Sequence, residues 1–362
     1  MNCCEKCFSD VEVVDIIRNN RTKGSCDFCG NKNIYVYDIN NDSTLSDMFS
    51  ELLSIYTAVS ELPSAFPREK TDLLKNVFYR NWSVFNVTPE CIYRLLTEIC
   101  REKYSDQPEL FDSPVGILES QDRNYLDEFS ILRNYQWQDF VGDIKTVNRF
   151  HTDHINKDVL NLFLRCARKS YKAGTVLYRA RICSGETRFA PKEMGAPPVG
   201  SASPGRINPN GISILYLADS VKTTLHETRA GIYDYVTVGS FRLKRDAEVV
   251  NFAALDKISP FIANTVMGIE YTQHAINIGN LKLMSQEMAK PLRRQDSVLD
   301  YLPTQYISDY IKSRGFDGVE FISTMHDGGA NLAVFDSSIF KCTKANLYRI
   351  KSMSYDEELI RV

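Results

Sequence analysis

The chain has 362 residues, 43% of them hydrophobic and 25% charged, which is enough apolar material for two or three compact domains and too much for a disordered chain. A formal net charge of -3 removes the general attraction to phosphate backbones, so nucleic acid is not an expected partner. No apolar run approaches the roughly 18–20 residues of a membrane span, and the polar start Met1 to Asp10 has no signal-like core. No membrane partner is expected, and the default localisation is cytoplasmic.

Five of the ten cysteines fall within the first 29 residues. Cys4-x2-Cys7, an eighteen-residue spacer and Cys26-x2-Cys29 followed by Gly30 form the spacing of a four-thiolate zinc site made from two tight turns. Zinc would be structural, supplying the folding energy that a segment of about 36 residues lacks. Cys3 is a spare thiol that could replace Cys4 in this register. Five basic and five acidic side chains in residues 1–35 argue for a structural or protein-contact role over a nucleic-acid-reading ribbon. A redox Cys-x-x-Cys would need a βαβ context that is missing here.

Helical patterns begin at Ser43, with Leu45, Met48, Phe49, Leu52 and Tyr56 on one face, and continue over Thr71 to Trp82. Thr88-Pro89 opens a helix in which Ile92, Leu95, Leu96 and Ile99 recur at i, i+3, i+4, i+7. Further helices are predicted over Tyr125 to Phe150 and Lys157 to Ser170. After Gly174 short β-rich runs take over: Thr175 to Ala180, Ser213 to Leu217, Tyr235 to Leu243, Gly318 to Ile322 and Leu332 to Phe335. Helices are predicted between some of them, at Val221 to Ala230, Pro260 to Met288 and Pro303 to Ser313. Met194 to Gly211, rich in Gly, Pro, Ser and Asn, reads as a long loop.

The expected fold class is therefore α+β: a small zinc-binding module over residues 1–36, an all-α helical domain over 37–170, a mixed α+β domain over 171–345 and a tail over 346–362. No internal repeat is visible.

Four short pieces carry the candidate chemistry. Leu177-Tyr178-Arg179-Ala180-Arg181 is a strand with Arg179 on one face. Gly205-Arg206-Ile207-Asn208-Pro209-Asn210-Gly211 is a loop, followed by a strand carrying Tyr216 and a helix, capped by Ser220, carrying Glu227. A late strand from Gly318 ends near Ser323, beside the run Asn331-Leu332-Ala333-Val334-Phe335. Arg206 and Tyr216 are ten residues apart, and Tyr216 and Glu227 eleven. Taken alone, Arg179 reads as an edge-strand surface residue and Glu227 as a solvated helix residue.

In order and spacing these pieces resemble the RES family, a NAD-degrading toxin domain named for its Arg, Glu and Ser residues, over roughly Gly174 to Lys344. A family pattern of strand Arg, Gly-Arg-x-Asn-x-x-Gly loop, strand Tyr, helix Glu and late strand Ser is matched by Arg179, Arg206, Tyr216, Glu227 and Ser323. Ile207 departs from the family's usual Trp.

The resemblance implies an ADP-ribosyltransferase-like fold, NAD as substrate and cleavage of its nicotinamide–ribose bond, as a glycohydrolase or phosphorylase acting as a toxin or defence effector. It assigns Glu227 to the ribose hydroxyls and the developing positive charge, and Arg179 and Arg206 to phosphate oxygens. Tyr216 would stack on or orient the nicotinamide ring, and Ser323 would hydrogen-bond the ribose or nicotinamide side. His226, Gln305, Asn331 and Asp317 are not expected to be catalytic.

Trp137 to Phe150 resembles, more loosely, the HEPN-type helical domain often fused to RES domains, and Arg149-x4-His154 fits an Arg-x4-6-His ribonuclease spacing on a helix. A packing and regulatory role is the plainer reading. Rival functions are ADP-ribosyl transfer to a macromolecule, NAD binding without turnover, and ribonuclease activity. The candidate protein partners are an antitoxin or regulatory protein and a second copy of the chain, with the N-terminal extension as a restraint in cis.

Overall fold

The computed structural model describes residues 1–290 and 297–353. Residues 354–362 of the expected tail lie outside them. The chain divides into two compact units. One comprises Met1–Phe140, Phe150–Cys166 and Ala254–Leu283; the other comprises Val141–Arg149, Ala167–Ala253 and the described residues from Met284 onward. Residues 254–283 thus group with the N-terminal unit, where Phe261, Tyr271 and Ile278 enter its apolar core.

In the N-terminal unit, strands β1 (Asn2–Cys4), β2 (Lys23–Gly24) and β3 (Ile34–Asp38) form an antiparallel sheet in the order β1-β3-β2. Between β1 and β2 lies the helix Val11–Asn19, whose N-terminus is capped by Asp10 accepting from the backbone N–H groups of Glu12 and Val13. A second small sheet, β4 (Thr57–Ala58), β5 (Asp72–Leu73) and β6 (Pro114–Gly116), accompanies helices that include Thr44–Leu53, Leu74–Arg80 and Pro89–Ile99. The predicted Ile92, Leu95, Leu96 and Ile99 face of the last helix is buried. Asp72 and Leu73, read from sequence as helix, are strand.

The helix expected over Tyr125 to Phe150 is two, Arg123–Phe129 and Trp137–Thr146. The chain turns between them, with Arg133 at φ 52°. Buried Asn277 accounts for the break, because its side chain accepts from Ile131 N at 2.7 Å and donates to Phe129 O at 2.8 Å. Pro260 to Met288 likewise divides at Gly268, φ 67°, into Pro260–Met267 and Tyr271–Ala289.

The C-terminal unit is built on an eight-stranded sheet of β7 (Arg168–Tyr171), β8 (Val176–Cys183), β9 (Leu215–Ala218), β10 (Tyr235–Leu243), β11 (Ala247–Asn251), β12 (Gly318–Ile322), β13 (Ala330–Val334) and β14 (Phe340–Arg349). Their spatial order is β14-β10-β8-β9-β13-β12-β11-β7, antiparallel except for β11 beside β12. The predicted helix Lys157 to Ser170 stops at Cys166, and Arg168 onward joins the sheet edge as β7. β11 and β14 have no counterpart among the predicted strands, and β14 takes up the first residues of the segment read as a tail.

Register decides the two faces. Leu177, Leu215, Leu217, Phe241, Val249, Leu332 and Val334 point to one face and form a core there. Tyr178, Ala218, Tyr216, Ala333, Phe321 and Asn331 share the other face through the pairs Tyr178↔Ala218, Ala333↔Tyr216 and Phe321↔Asn331. On that second face the helix Val221–Glu227 packs Val221 and Leu225 toward Ala180 and Val238, and Thr224 Oγ1 accepts from Ala180 N at 2.9 Å.

Candidate active site and cysteine cluster

Ser220 caps the helix Val221–Glu227 by accepting from Thr223 N, and the helix ends at Glu227. Glu227 is exposed, yet two side chains hold its Oε1. Ser323, just past the end of β12, donates from Oγ at 2.5 Å, and Asn331 on β13 donates from Nδ2 at 2.7 Å. Both donors are buried, at 4% and 7% exposure. Ser323 Oγ in turn accepts from Met325 N and His326 N, each at 3.2 Å, so its own proton is directed at Glu227. Oε2 has no hydrogen-bond partner among the described residues. The site therefore presents a fixed carboxylate with one oxygen open.

The Gly205–Gly211 loop is fastened to the same sheet face. Tyr216 donates its hydroxyl to Asn208 Oδ1 at 2.8 Å and accepts from Ile207 N at 3.3 Å. Burial pushes the Tyr216 phenol up, which keeps it a neutral donor. Gly205 permits the fit, since a Cβ there would lie 2.7 Å from Asn208 Oδ1 and 3.1 Å from the Tyr216 hydroxyl. Gln305 completes the clamp by donating to Gly205 O at 2.7 Å and Asn208 O at 3.0 Å. Ile207 is fully buried, so the position where the family pattern has Trp is filled by packing.

Arg206 stands 5.2 Å over the Phe321 ring and donates from one terminal nitrogen to Met288 O at 2.6 Å and Ala289 O at 3.0 Å, capping the end of the helix Tyr271–Ala289. Burial pulls its pKa down and the Glu227 charge pulls it back up, which places both groups in one electrostatic neighbourhood. Its Nε is buried and has no hydrogen-bond partner among the described residues.

Arg179 departs from the expected site. Through the pairs Gly239↔Arg179 and Tyr178↔Ala218 it lies on the sheet face opposite Tyr216, where its NH1 donates to Gly195 O at 2.8 Å. Burial, with Arg181 nearby, lowers it to about 10. The structure thus gathers Arg206, Tyr216, Glu227 and Ser323 on one face and leaves Arg179 out. Asn331, set aside in the sequence reading, sits directly on Glu227. The only sequence signal for it was its place at the start of an apolar strand, and nothing local marks its partner.

Cys4, Cys7, Cys26 and Cys29 bring their sulfurs within 4.8 Å of one another. Neighbouring Sγ atoms are 3.8 Å (Cys4 and Cys7), 3.4 Å (Cys4 and Cys29) and 3.6 Å (Cys7 and Cys26) apart. Asn31 Nδ2 donates to Cys29 Sγ at 3.1 Å, and Gly30 at φ 74° closes the second turn. Cys3 is outside the group because β1 alternates: Cys3 pairs with Tyr37 and Cys4 with Val36, so the two thiols point to opposite faces. The donor set and its size fit one tetrahedral thiophilic ion.

Arg149 and His154 lie in irregular chain between the helices Trp137–Thr146 and Lys157–Cys166, so the helical Arg-x4-His arrangement does not form. Among the described residues no helix is long and apolar enough to cross a membrane.

A family model described as the RES domain matches residues 176–351. No curated relative matches the chain. Among solved structures the chain is similar, at 11% identity and a TM-score of 0.30, to a chain of the crystal structure of the M. tuberculosis MbcT-MbcA toxin-antitoxin complex, covering 54% of this chain and 93% of that one. Residues 176–351 of this protein are a RES domain.

Proposed function

We propose that this RES domain binds NAD and cleaves its nicotinamide–ribose bond, as a glycohydrolase or phosphorylase in the manner of a NAD-depleting toxin. The observation that carries the reading is the Glu227 carboxylate, held on one oxygen by Ser323 and Asn331 with the other open. Nicotinamide leaves as a neutral molecule from a cationic pyridinium, so the reaction needs no general acid at the leaving group. It needs stabilisation of an oxocarbenium-like ribose, which a fixed carboxylate supplies.

In this reading Glu227 faces the ribose, while Ser323 and Asn331 position it. Arg206 contributes its positive charge beside Glu227, where a phosphate oxygen of the substrate would be attracted. Tyr216 acts by holding the Gly205–Gly211 loop, since its hydroxyl is committed to Asn208. Arg179 has a structural role on the opposite face. Incubating the purified full chain with NAD and separating the products tests this. Release of nicotinamide with free ADP-ribose supports hydrolysis, a phosphate-dependent sugar phosphate supports phosphorolysis, and label retained on a macromolecule supports transfer. No nicotinamide release under any of these conditions overturns the reading.

The four-cysteine group is proposed as a structural zinc site with Cys4, Cys7, Cys26 and Cys29 as ligands, the metal supplying cohesion to the segment around β1–β3. An antitoxin or regulatory protein covering the Glu227 face is the partner this reading implies. Co-purification and loss of NAD cleavage on adding that partner would check it.

A further inference from the structure

Beside Glu227 a second set of side chains forms a connected line. Asp219 lies between β9 and the helix Val221–Glu227, and its two oxygens are both engaged: Oδ1 accepts from Thr223 Oγ1 at 2.6 Å, and Oδ2 from Ala330 N at 3.1 Å. Thr223 is fully buried. Its single hydroxyl proton goes to the carboxylate at the shortest contact, so toward Ser220 Oγ, 2.8 Å away, and His326 Nδ1, 3.0 Å away, Thr223 Oγ1 can only accept.

His326 must then carry its proton on Nδ1, which leaves Nε2 with a free lone pair in the neutral ring. The loop 323–329 is shaped to allow this. A Cβ at Gly329 would lie 2.7 Å from Thr223 Oγ1 and 3.0 Å from His326 Nδ1.

The same loop ties His326 to the carboxylate. His326 N donates to Ser323 Oγ, the atom that donates to Glu227 Oε1. His226, the residue before Glu227, stacks on the His326 ring at 5.2 Å with planes 8° apart. The ionisable groups around His326 are thus Asp219 through Thr223 at Nδ1, His226 by stacking on the ring, Glu227 through Ser323 at the backbone N–H, and Asp327 in its own loop.

A carboxylate–hydroxyl–imidazole line fixes the tautomer of a half-exposed histidine whose backbone N–H shares Ser323 Oγ with the candidate catalytic carboxylate. Such a line is how a general base is set.

We propose that His326 takes the proton from the water molecule that attacks the ribose, with Thr223 and Asp219 as positioning residues; this rests on NAD cleavage at the Glu227 site. The water oxygen forms the new bond to the anomeric carbon as the bond to nicotinamide breaks, its electron pair leaving with the neutral nicotinamide. The water proton passes to His326 Nε2 and then to solvent. The products are ADP-ribose, nicotinamide and a proton.

His326→Asn separates the two roles, because an Asn amide can still donate to Thr223 Oγ1 but has no basic nitrogen. The expected result is an unchanged melting temperature and a fall in NAD hydrolysis of about 10²-fold or more. Azide, an anion with no proton to lose, should restore nicotinamide release in this variant. Hydrolysis at the wild-type rate in His326→Asn overturns the proposal, as does a loss that azide does not relieve.

A second measurement is independent of turnover. Nitrogen-15 NMR of the wild-type chain should show His326 in the Nδ1-protonated tautomer, and Thr223→Val should release that preference. A dominant Nε2-protonated form in the wild type overturns the relay. If the wild type releases no nicotinamide, the parent reading fails together with this one; if it does and only the Asn or NMR result goes the wrong way, this inference alone fails.

Discussion

The cysteine cluster and the Glu227 site are both small constellations of polar side chains, and they are assembled in opposite ways. In the cluster each Cys-x-x-Cys turn places two sulfurs within a few residues of chain, and only one joining of the two turns, through β1 and β3, is left to tertiary structure. At Glu227 every bond is long-range: Ser323 is 96 residues away and Asn331 is 104. The first kind of site is legible from spacing. The second depends on register between strands.

Metal removal probes the local site and should give the largest effect. One zinc ion per chain is expected by elemental analysis, and chelation or Cys26→Ser should unfold the segment around β1–β3, since structural zinc contributes on the order of 10 kcal/mol in small modules. Full retention of helix and sheet signal without metal would erase the contrast between the two sites.

For the long-range site, Glu227→Gln should lower nicotinamide release by about 10²–10³-fold with little change in melting temperature, as expected for loss of one preorganised electrostatic group. A variant as active as the wild type would remove Glu227 from the chemistry. Asn331→Leu should lower kcat by about 10- to 100-fold, matching the roughly 1.5–3 kcal/mol of a hydrogen bond to a charged group. An effect confined to stability would reduce Asn331 to a packing residue.

The smallest effect separates the two units by pH. His274, packed edge-on against Trp82 in the N-terminal unit, is held neutral by burial, its pKa lowered from 6.5 to about 3. Below 6.5 the unfolded chain takes up a proton that the folded state refuses. Stability is therefore intact above that value and falls as pH drops toward 3, by about 2 kcal/mol at about pH 5. His274→Phe should flatten the dependence of the urea midpoint over this window; an unchanged slope would refute the assignment.

Much of the fold was legible where a single element carried its own signal. The i, i+3, i+4, i+7 pattern of Ile92, Leu95, Leu96 and Ile99 gave its helix, and the apolar runs gave β10 and β12 with their observed limits. The breaks were hidden, because Asn277 creates the one after Phe129 from well over a hundred residues away. β7 was hidden too, because Arg168–Tyr171 has a polar face and becomes strand only by pairing with β11.

Among the site residues, the order of Arg206, Tyr216, Glu227 and Ser323 could be read along the chain, and the RES domain now established over residues 176–351 was visible from it. Arg179 shows the limit of that reading. Alternation could separate it from Tyr178 and Ala180 but could not say which face Glu227 would occupy.

By itself the sequence determined the cysteine spacing, the amphipathic helices, the β-rich C-terminal half and the ordered set of polar residues within it, because each depends on chemistry within about a dozen neighbouring residues. Tertiary structure alone decided which of those residues meet. Pairing β9 with β13 and β13 with β12 puts Tyr216, Phe321 and Asn331 on one face, sends Arg179 to the other, and brings Ser323 to Glu227. A shift of one residue in any of these ladders would invert the faces, and no local propensity encodes that choice.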